Sequence, residues 1–230
     1  MINLLEVQFA GWTATPRMPF VVSGNAVCLP APSYSLLLGL ISCCLGRLVE
    51  AGEVAIGCYY RFDYTAKDME TRHRLAFDGR QLKPHQKGTD VHLREFHVQP
   101  RLTLWLDQPE WADYFRYPAG TPSLGRSQDI LRVTSVKTVA ASKVAKGTVS
   151  GCMLPFGPQI QAGGQLVQMA EAYRENDGIG TGRTATRSGI FIAVPWDSYS
   201  PVSMPDLYEI AQEGQQEPIC FYLHPFKHER

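Results

Sequence analysis

The sequence lacks net charge, because its 22 Lys and Arg residues are balanced by 22 Asp and Glu residues. This balance predicts neither a generally nucleic-acid-binding surface nor a membrane partner. No apolar run approaches the roughly 20 residues that a membrane-spanning helix needs. The opening segment "MINLLEVQFAGW" has no cationic start and carries Glu6 within its apolar stretch. We therefore expect no signal peptide.

Paired cysteines and catalytic motifs are also missing. None of the six cysteines belongs to a CxxC pair, which predicts reduced, mostly buried thiols and a cytoplasmic protein. No HExxH, GxSxG or Walker motif occurs, and the glycines of "GIGTGRTATRSG" lack the strand-to-helix context of a dinucleotide site. His85 and His92 have no common zinc spacing. We predict no cofactor, no metal and no catalytic residue.

The positive charge is gathered into two tracts. From Arg72 to Arg101 there are seven Lys and Arg residues, three acids and four of the six histidines. From Arg116 to Lys146 there are six Lys and Arg residues and one acid, Asp129. Gly and Pro interrupt both tracts and deny them a helical face. The tracts therefore favour a local anionic partner, and two solvated faces are the alternative.

The hydrophobic pattern predicts an α+β fold. Strands are predicted in "INLLEVQFA", "VAIGCYYRF", "RLTLWLDQ", "ILRVTSVKTV" and "EPICFYLHPF". The segment "SYSLLLGLISCCLGRLVEAGE" predicts a buried helix that begins at the N-cap Ser33 and is closed by Gly52. Gly39 and Gly46 lie on about one side of this helix and predict close packing on a sheet. A short helix is predicted in "PEWADYFRYP", with Pro109 in its first turn.

The segment before "RLTLWLDQ" predicts a hairpin or long loop with a polar tip at Pro84 to Gly88. The order of strand, helix, strand, hairpin, strand, short helix and strand resembles a ferredoxin-like sheet with insertions. We treat residues 1–230 as a single domain. Its part from about residue 150 to residue 230 is rich in predicted strands.

The stretch "TPSLGRSQDIL" places an arginine on a glycine turn. At Gly125 no Cβ blocks the approach of a phosphate to backbone N–H groups. Arg126 can direct two N–H groups at phosphate oxygens. Ser127 and Gln128 can form hydrogen bonds with bases or 2′-hydroxyl groups. The alternative is a salt bridge between Arg126 and Asp129, three residues along the chain.

Several aromatic residues lie in or beside the basic tracts. Each can stack on a base, which contributes about 1–3 kcal/mol. They are Trp12, Tyr59, Tyr60, Phe96 and Trp105. The alternative is that they are core residues of strands, and we favour this alternative for Tyr60, Phe96 and Trp105.

Three blocks of the sequence together resemble the CRISPR-associated Cas-five family of the RAMP superfamily. The segment Pro16 to Gly46 resembles the family's N-terminal signature, with an R-x-P at Arg17, then "PSYS", then "GL" in an apolar helix. The block "SLGRSQDIL" resembles the second signature. The block "LREFHVQPRLTLWL" looks like the strand that closes the family's thumb hairpin. The blocks cover roughly residues 4 to 139, and the chain beyond about residue 150 matches only loosely.

This resemblance implies a fold and a role. The fold would be a ferredoxin-like RAMP fold with a protruding β-hairpin thumb at about residues 76–98. The protein would be a non-catalytic subunit of a type I CRISPR Cascade surveillance complex, most like subtype I-B. It would bind the 5′ handle of crRNA, cap the backbone of Cas-seven subunits and contact the large Cas-eight subunit. Target DNA near its PAM-proximal end would lie beside it, as would transposition proteins if the system is transposon-linked.

The resemblance also places candidate RNA contacts. The turn at Gly125, Arg126, Ser127 and Gln128 would hold the handle. Arg17 and Ser35 would lie close to it, although helix capping is an equal role for Ser35. Sequence-neutral phosphate contacts would come from Lys137, Lys143 and Lys146. The thumb residues placed against the first guide–target base pairs would be Lys83, His85 and Lys87.

Two other functions stay open. The first is a repeat-specific endoribonuclease that processes pre-crRNA, as in subtype I-C, with Lys83-Pro84-His85 as the nearest match to that activity's Tyr, Lys and His group. The second is a protein–protein adaptor whose basic tracts face acidic neighbours. An adaptor would have little RNA affinity alone, whereas RNA binding would weaken steeply with salt.

Overall fold

The computed structural model describes residues 1–19, 25–176, 182–211 and 218–226. The strands described are β1 (Ile2–Gly11), β2 (Thr13–Ala14), β3 (Asn25–Ala26), β4 (Ile56–Arg61), β5 (Tyr64–Phe77), β6 (Leu82–Val98), β7 (Arg101–Leu106), β8 (Leu131–Val149), β9 (Cys152–Pro155), β10 (Gln165–Glu175), β11 (Arg183–Val194), β12 (Ser200–Ile210) and β13 (Ile219–His224). The helices are α1 (Tyr34–Leu45) and α2 (Ala112–Arg116), the second preceded by a 3₁₀ turn at Pro109–Trp111. Many strands and few helices confirm the predicted mixed class.

Four antiparallel strands in the order β8-β1-β7-β4 form what we call the main sheet, with β1 as a central strand. Strand β1 pairs antiparallel with β7 on one side and with β8 on the other, and β4 pairs antiparallel with β7. Strands β12 and β13 then join β8 to β4, so that the six strands close into a ring in the order β1-β7-β4-β13-β12-β8. The helix α1 connects β1 to β4, and α2 connects β7 to β8.

The alternation of side chains along β1 separates two cores. Leu5, Val7 and Phe9 pack with α1 in the larger core, whereas Leu4 packs in a second core on the opposite face. In that second core Trp105 stacks on Phe221, with ring centroids 4.1 Å apart. The burial of Trp105 confirms that it is a core residue.

The helix α1 begins where the sequence predicted and ends earlier. Ser33 is the N-cap, and its Oγ accepts a hydrogen bond from the Leu36 amide at 3.3 Å. The helix ends at Leu45 because Gly46 adopts a left-handed conformation, with φ at +68°, so the prediction of Gly52 was wrong. The expected packing of Gly39 on a sheet was also wrong, because Gly39 is exposed and no atom lies within 4 Å of where its Cβ would stand.

A long antiparallel hairpin of β5 and β6 projects from the main sheet. Its first strand begins at Tyr64 rather than near residue 76. Its tip is at Asp78–Gln81, where the Asp78 carboxylate accepts the amides of Arg80 and Gln81, each at 2.9 Å. The predicted tip at Pro84–Gly88 is instead an irregular part of β6, because the stronger turn signal is the Asp-Gly pair at residues 78 and 79.

The C-terminal part forms a second sheet with the order β10-β11-β9. Strand β10 lies against α1. All six cysteines are free thiols, and four of them are buried, as predicted: Cys28, Cys44, Cys58 and Cys152. Among the described residues, no helix is long and apolar enough to span a membrane.

The second core can be tested by truncating Trp105. Exchange of Trp105 for Ala should lower the free energy of unfolding by about 3–5 kcal/mol, because it removes the ring that covers Phe221. Denaturant titration measures the change. The matched control is Trp12→Ala, since Trp12 is 79% exposed and its loss should change stability by less than about 0.5 kcal/mol. Equal effects of both substitutions would contradict this description of the core.

Candidate nucleic-acid interface

A buried carboxylate closes the turn that carries Arg126. Asp129 has no exposed surface. It accepts hydrogen bonds from the backbone N–H of Arg126 at 3.0 Å and from the Nε and Nη2 groups of that side chain, each at 3.1 Å. The salt bridge that the sequence offered as an alternative is therefore formed. It uses two of the five guanidinium N–H groups.

The same carboxylate fixes the segment that follows β1. The hydroxyl groups of Thr13 and Thr15 donate to Asp129 at 2.7 and 2.6 Å. Burial raises the pKa of Asp129, but hydrogen bonds from Arg126, Thr15 and Thr13 outweigh burial and hold this pKa below its usual value. Asp129 is therefore charged at neutral pH and neutralises Arg126.

The glycine of the turn has a packing role. Gly125 has φ at +115°, and an added Cβ would collide with the carbonyl group of Thr15. The Thr15 amide donates to the Leu124 carbonyl at 2.9 Å. The Thr15 backbone therefore occupies the side of the glycine that the sequence suggested for a phosphate. Ser127 and Gln128 are exposed at the outer surface of the turn.

A cleft of about 520 Å³ opens at the start of α1. Arg17, Ser33 and Ser35 line one side of it, and Gln168 and Tyr173 of β10 line the other. Because Ser33 is the N-cap, the capping role considered for Ser35 is not needed. The cleft therefore brings together one exposed cation, one exposed ring and three hydrogen-bonding side chains besides the cap: Ser35, Gln168 and Ser188.

The cleft contains only some of the predicted site residues. Arg17 and Ser35 both line it, whereas no residue of the turn from 124 to 129 does. Gln168 and Tyr173 had no signal in the sequence, because only the packing of β10 beside α1 places them there. A second cleft of about 790 Å³ shares Ser35 and Tyr173 and continues along the outer face of α1.

The three predicted lysines of β8 lie apart from this cleft. Lys137 pairs with the buried Glu6 at 3.3 Å, and Lys143 pairs with Asp206 at 2.8 Å. Lys146 is exposed and pairs with no acid in the described part of the chain. Two of the three lysines are thus partly neutralised by the fold itself.

The predicted thumb cations lie near the end of the hairpin. Lys83 pairs with Asp78 at 2.7 Å, and His85 is partly buried. The Lys87 side chain lies outside the described residues. Acids of the hairpin also pair with other cations, as in Arg94 with Glu70. Because β5 supplies Asp68 and Glu70, the hairpin has seven Lys and Arg residues against five acids and is less basic than the tract suggested.

One histidine of the basic tract is a core residue. The Nδ1 atom of His97 lies 2.8 Å from the Tyr60 hydroxyl, and its ring stacks on Phe62 with centroids 3.6 Å apart. Burial lowers the pKa of His97 to about 4, so the ring is neutral at physiological pH. In the described ranges, no three His, Cys, Asp or Glu residues lie close enough to hold a metal ion.

Comparisons with known proteins identify the fold. Searches with protein-family models and of curated proteins find no match. A chain of a "CRISPR RNA-guided surveillance complex" matches with a TM-score of 0.54 and 17% identity, over 88% of this chain and 94% of that one. At this identity the match shows a shared fold.

Two further solved structures match with lower scores. A CRISPR protein from Archaeoglobus fulgidus has a TM-score of 0.49 and 11% identity, over 97% of this chain and 99% of that one. A chain of the type III-B Cmr-beta complex bound to cognate target RNA has a TM-score of 0.47 and 11% identity, over 86% of each chain. Neither match is needed for the fold, which the first structure already shows.

The role of Asp129 can be tested by removing its charge. The Asp129→Asn variant should be less stable than wild type by about 3 kcal/mol at neutral pH, because Arg126 would lose its buried partner. Urea titration measures this difference.

The stability difference between wild type and Asp129→Asn should depend on pH. Since the folded-state pKa of Asp129 lies below 3.8, the stabilisation should be constant above about pH 5 and should disappear as the pH falls through the folded-state pKa. The control is Asp113→Asn, which removes an exposed partner of Arg116 and should have little effect. If the stability difference between Asp129→Asn and wild type did not change with pH, the ion pair would not be its cause.

Proposed function

We propose that this protein is an RNA-binding subunit of a CRISPR effector complex. The observation that carries the proposal is the fold match to a chain of a CRISPR RNA-guided surveillance complex, which covers 88% of this chain and 94% of that one. The sequence blocks that resemble the Cas-five family support it independently. Two of their residues, Arg17 and Ser35, line one cleft.

The finer part of the proposal is a Cas-five role in a type I Cascade, most like subtype I-B. The strand order β8-β1-β7-β4, with α1 and α2 in the connections, fits a ferredoxin-like arrangement. We assign the hairpin of β5 and β6 as the thumb. The protein would hold the 5′ handle of crRNA, cap the Cas-seven backbone and contact the Cas-eight subunit near the PAM-proximal target DNA.

The cleft supplies the chemistry for binding a handle. Arg17 is exposed and can direct two N–H groups at one phosphate. Ser35 and Gln168 can form hydrogen bonds with a ribose or a base edge, which single-stranded RNA leaves accessible. Tyr173 is 48% exposed and can stack on a base. The exposed Ser127 and the remaining N–H groups of Arg126 would form a second contact outside the cleft.

The proposal includes no catalysis. Cleavage of RNA by a general base needs a group that titrates near neutral pH and lies beside the 2′-hydroxyl. His97 is buried and titrates at about pH 4. The ammonium group of Lys83 is paired with Asp78. The pairing of Lys83 supports a binding role over the nuclease alternative at Lys83 and His85.

RNA binding at the cleft can be tested with Arg17→Ala. The variant should bind a labelled repeat RNA about tenfold more weakly than wild type, a loss of about 1.4 kcal/mol, because one charge-assisted phosphate contact is gone. Fluorescence anisotropy at low and high salt measures the affinity.

The matched control for Arg17→Ala is Arg116→Ala. Arg116 is also exposed, but it lies on α2, outside the residues that line the cleft. This control should bind as wild type does. Equal affinity of Arg17→Ala and wild type would remove the cleft from the RNA-binding site. Affinity of the wild-type protein too weak to measure would favour the adaptor role.

The absence of catalysis can be tested on the same RNA. The wild-type protein and the double variant Lys83→Ala/His85→Ala should both leave the repeat RNA intact in a gel assay, with or without divalent cations. Specific cleavage by wild type that the double variant abolishes would establish the endoribonuclease alternative. Specific cleavage by both proteins would also contradict the proposal and would place the active site elsewhere.

A further inference from the structure

Three arginines form a row across the main sheet. Ala10 of β1 pairs with Arg101 of β7 on one side and with Arg132 of β8 on the other, and Arg101 also pairs with Arg61 of β4. Directly opposed residues of antiparallel strands project from the same face. The row therefore spans four adjacent strands, a width of about 14 Å. We call Arg61, Arg101 and Arg132 the arginine row.

The arginine row lies on the face that points away from α1. The sequence neighbours Phe9, Tyr60 and Leu102 are buried in the core with α1. Because successive side chains of a strand alternate between faces, the arginines project from the opposite face. All three arginines are exposed, so this part of the sheet is open.

The same face is covered at its other end. Four residues further along β1, Glu6 pairs with Trp105. Phe221 of β13 stacks on Trp105. Between the covered end and the arginine row lies a polar row, in which Gln8 is opposed to Thr103 and to Ser135. The sheet thus changes from an apolar core to a polar surface and then to a cationic edge.

The fold leaves most of this positive charge without a partner. Asp63 lies 3.6 Å from Arg101, and both side chains are about half exposed. Arg61 and Arg132 form no ion pair with any acid in the described ranges. Like charges that are directly opposed in a sheet destabilise it, as in the pair Arg61 and Arg101. A bound anion would remove this repulsion.

Two tyrosines stand beside the arginine row. Tyr59 is opposed to Thr103 in the polar row and is partly buried. Burial raises the pKa of Tyr59, and the charge of Arg61 lowers it. Ser200, the neighbour of Tyr199, pairs with Val149, and a Cβ added at the nearby Gly151 would lie 3.1 Å from the Tyr59 ring. Tyr199 therefore lies in the same region as Tyr59. Tyr199 is 73% exposed. The exposed ring of Tyr199 beside cations suits a ligand that carries both bases and phosphates.

We propose that the arginine row binds the sugar-phosphate backbone of single-stranded nucleic acid. Arginine can direct two N–H groups at one phosphate, and the tyrosines can stack on neighbouring bases. An acidic peptide would also meet the charge, but it would not use the rings. The arginine row and the Arg17 cleft share no residue. This inference rests on the proposed function and gives that RNA-binding subunit a second nucleic-acid surface.

The test measures the salt dependence of binding to labelled oligo(U) and oligo(dT). The triple variant Arg61→Gln/Arg101→Gln/Arg132→Gln should lose about two from the slope of log affinity against log salt, since each phosphate contact with a single strand contributes about 0.7. Its affinity at low salt should fall on the order of tenfold or more. If the Gln variant loses affinity for both oligonucleotides, the arginine row recognises the backbone that they share. If it loses affinity for oligo(U) alone, the row also contacts the 2′-hydroxyl group, which oligo(dT) lacks.

Two further variants keep the test specific. The control variant is Lys67→Gln/Arg74→Gln/Arg116→Gln. It removes three exposed cations that lie outside the arginine row and are each paired with an acid. Its slope of log affinity against log salt should equal that of wild type. The triple Arg→Lys variant of the arginine row keeps the charge, so it should keep the slope while losing part of the affinity. If the Gln variant does not fold, the Lys variant still tests the inference. Unchanged affinity of the Lys variant would contradict bidentate binding of phosphate by the arginines.

Two outcomes would overturn the inference. One is a Gln variant that binds both oligonucleotides with the wild-type slope. The other concerns labelled polyglutamate, titrated in the same way as a third ligand. A Gln variant that loses affinity for polyglutamate alone would make the face a site for acidic peptides. If Arg17→Ala weakens repeat-RNA binding while the Gln variant does not, the proposed function stands and this inference fails. Weakening by the Gln variant alone would support the arginine row and would remove the cleft from the RNA-binding site.

Discussion

The junction between the central strand β1, the turn that carries Arg126 and the hairpin depends on the buried carboxylate of Asp129. This one group joins the turn that carries Arg126 to Thr13 and Thr15, which follow the central strand of the main sheet. Through β2 the same segment pairs with the base of the hairpin. Because a buried charge without partners is strongly unfavourable, the five hydrogen bonds to Asp129 hold these three parts together.

The two faces of the main sheet differ in what covers them. One face packs against α1 in the larger core, and the start of that helix carries Ser33 and Ser35 of the cleft. The other face is apolar where Phe221 covers Trp105 and cationic where the covering strands do not reach. The two surfaces proposed for nucleic acid are thus separate, one in the cleft between α1 and β10 and one on the face of the main sheet away from α1.

Charge in the sequence and charge on the surface differ in this protein. The basic tract from Arg72 to Arg101 predicts a strongly cationic segment, but it folds against β5, whose Glu70 pairs with Arg94. Four of the six cations in the second tract also pair with acids: Arg116, Arg126, Lys137 and Lys143. Arg61 and Arg132 pair with no acid among the described residues, and the register of the strands places them in one row with Arg101.

The sequence by itself determined the mixed class, the start of α1 at its Ser33 cap, the core role of Trp105 and the two possible partners of Arg126. These features depend on local hydrogen bonds and on the alternation of side chains, which neighbouring residues specify. Only the tertiary structure decided that Asp129 is the partner, that Gly125 packs on Thr15 and that β10 lines the cleft. Each of these contacts joins residues distant in the chain, so their geometry follows from strand register and packing rather than from local pattern.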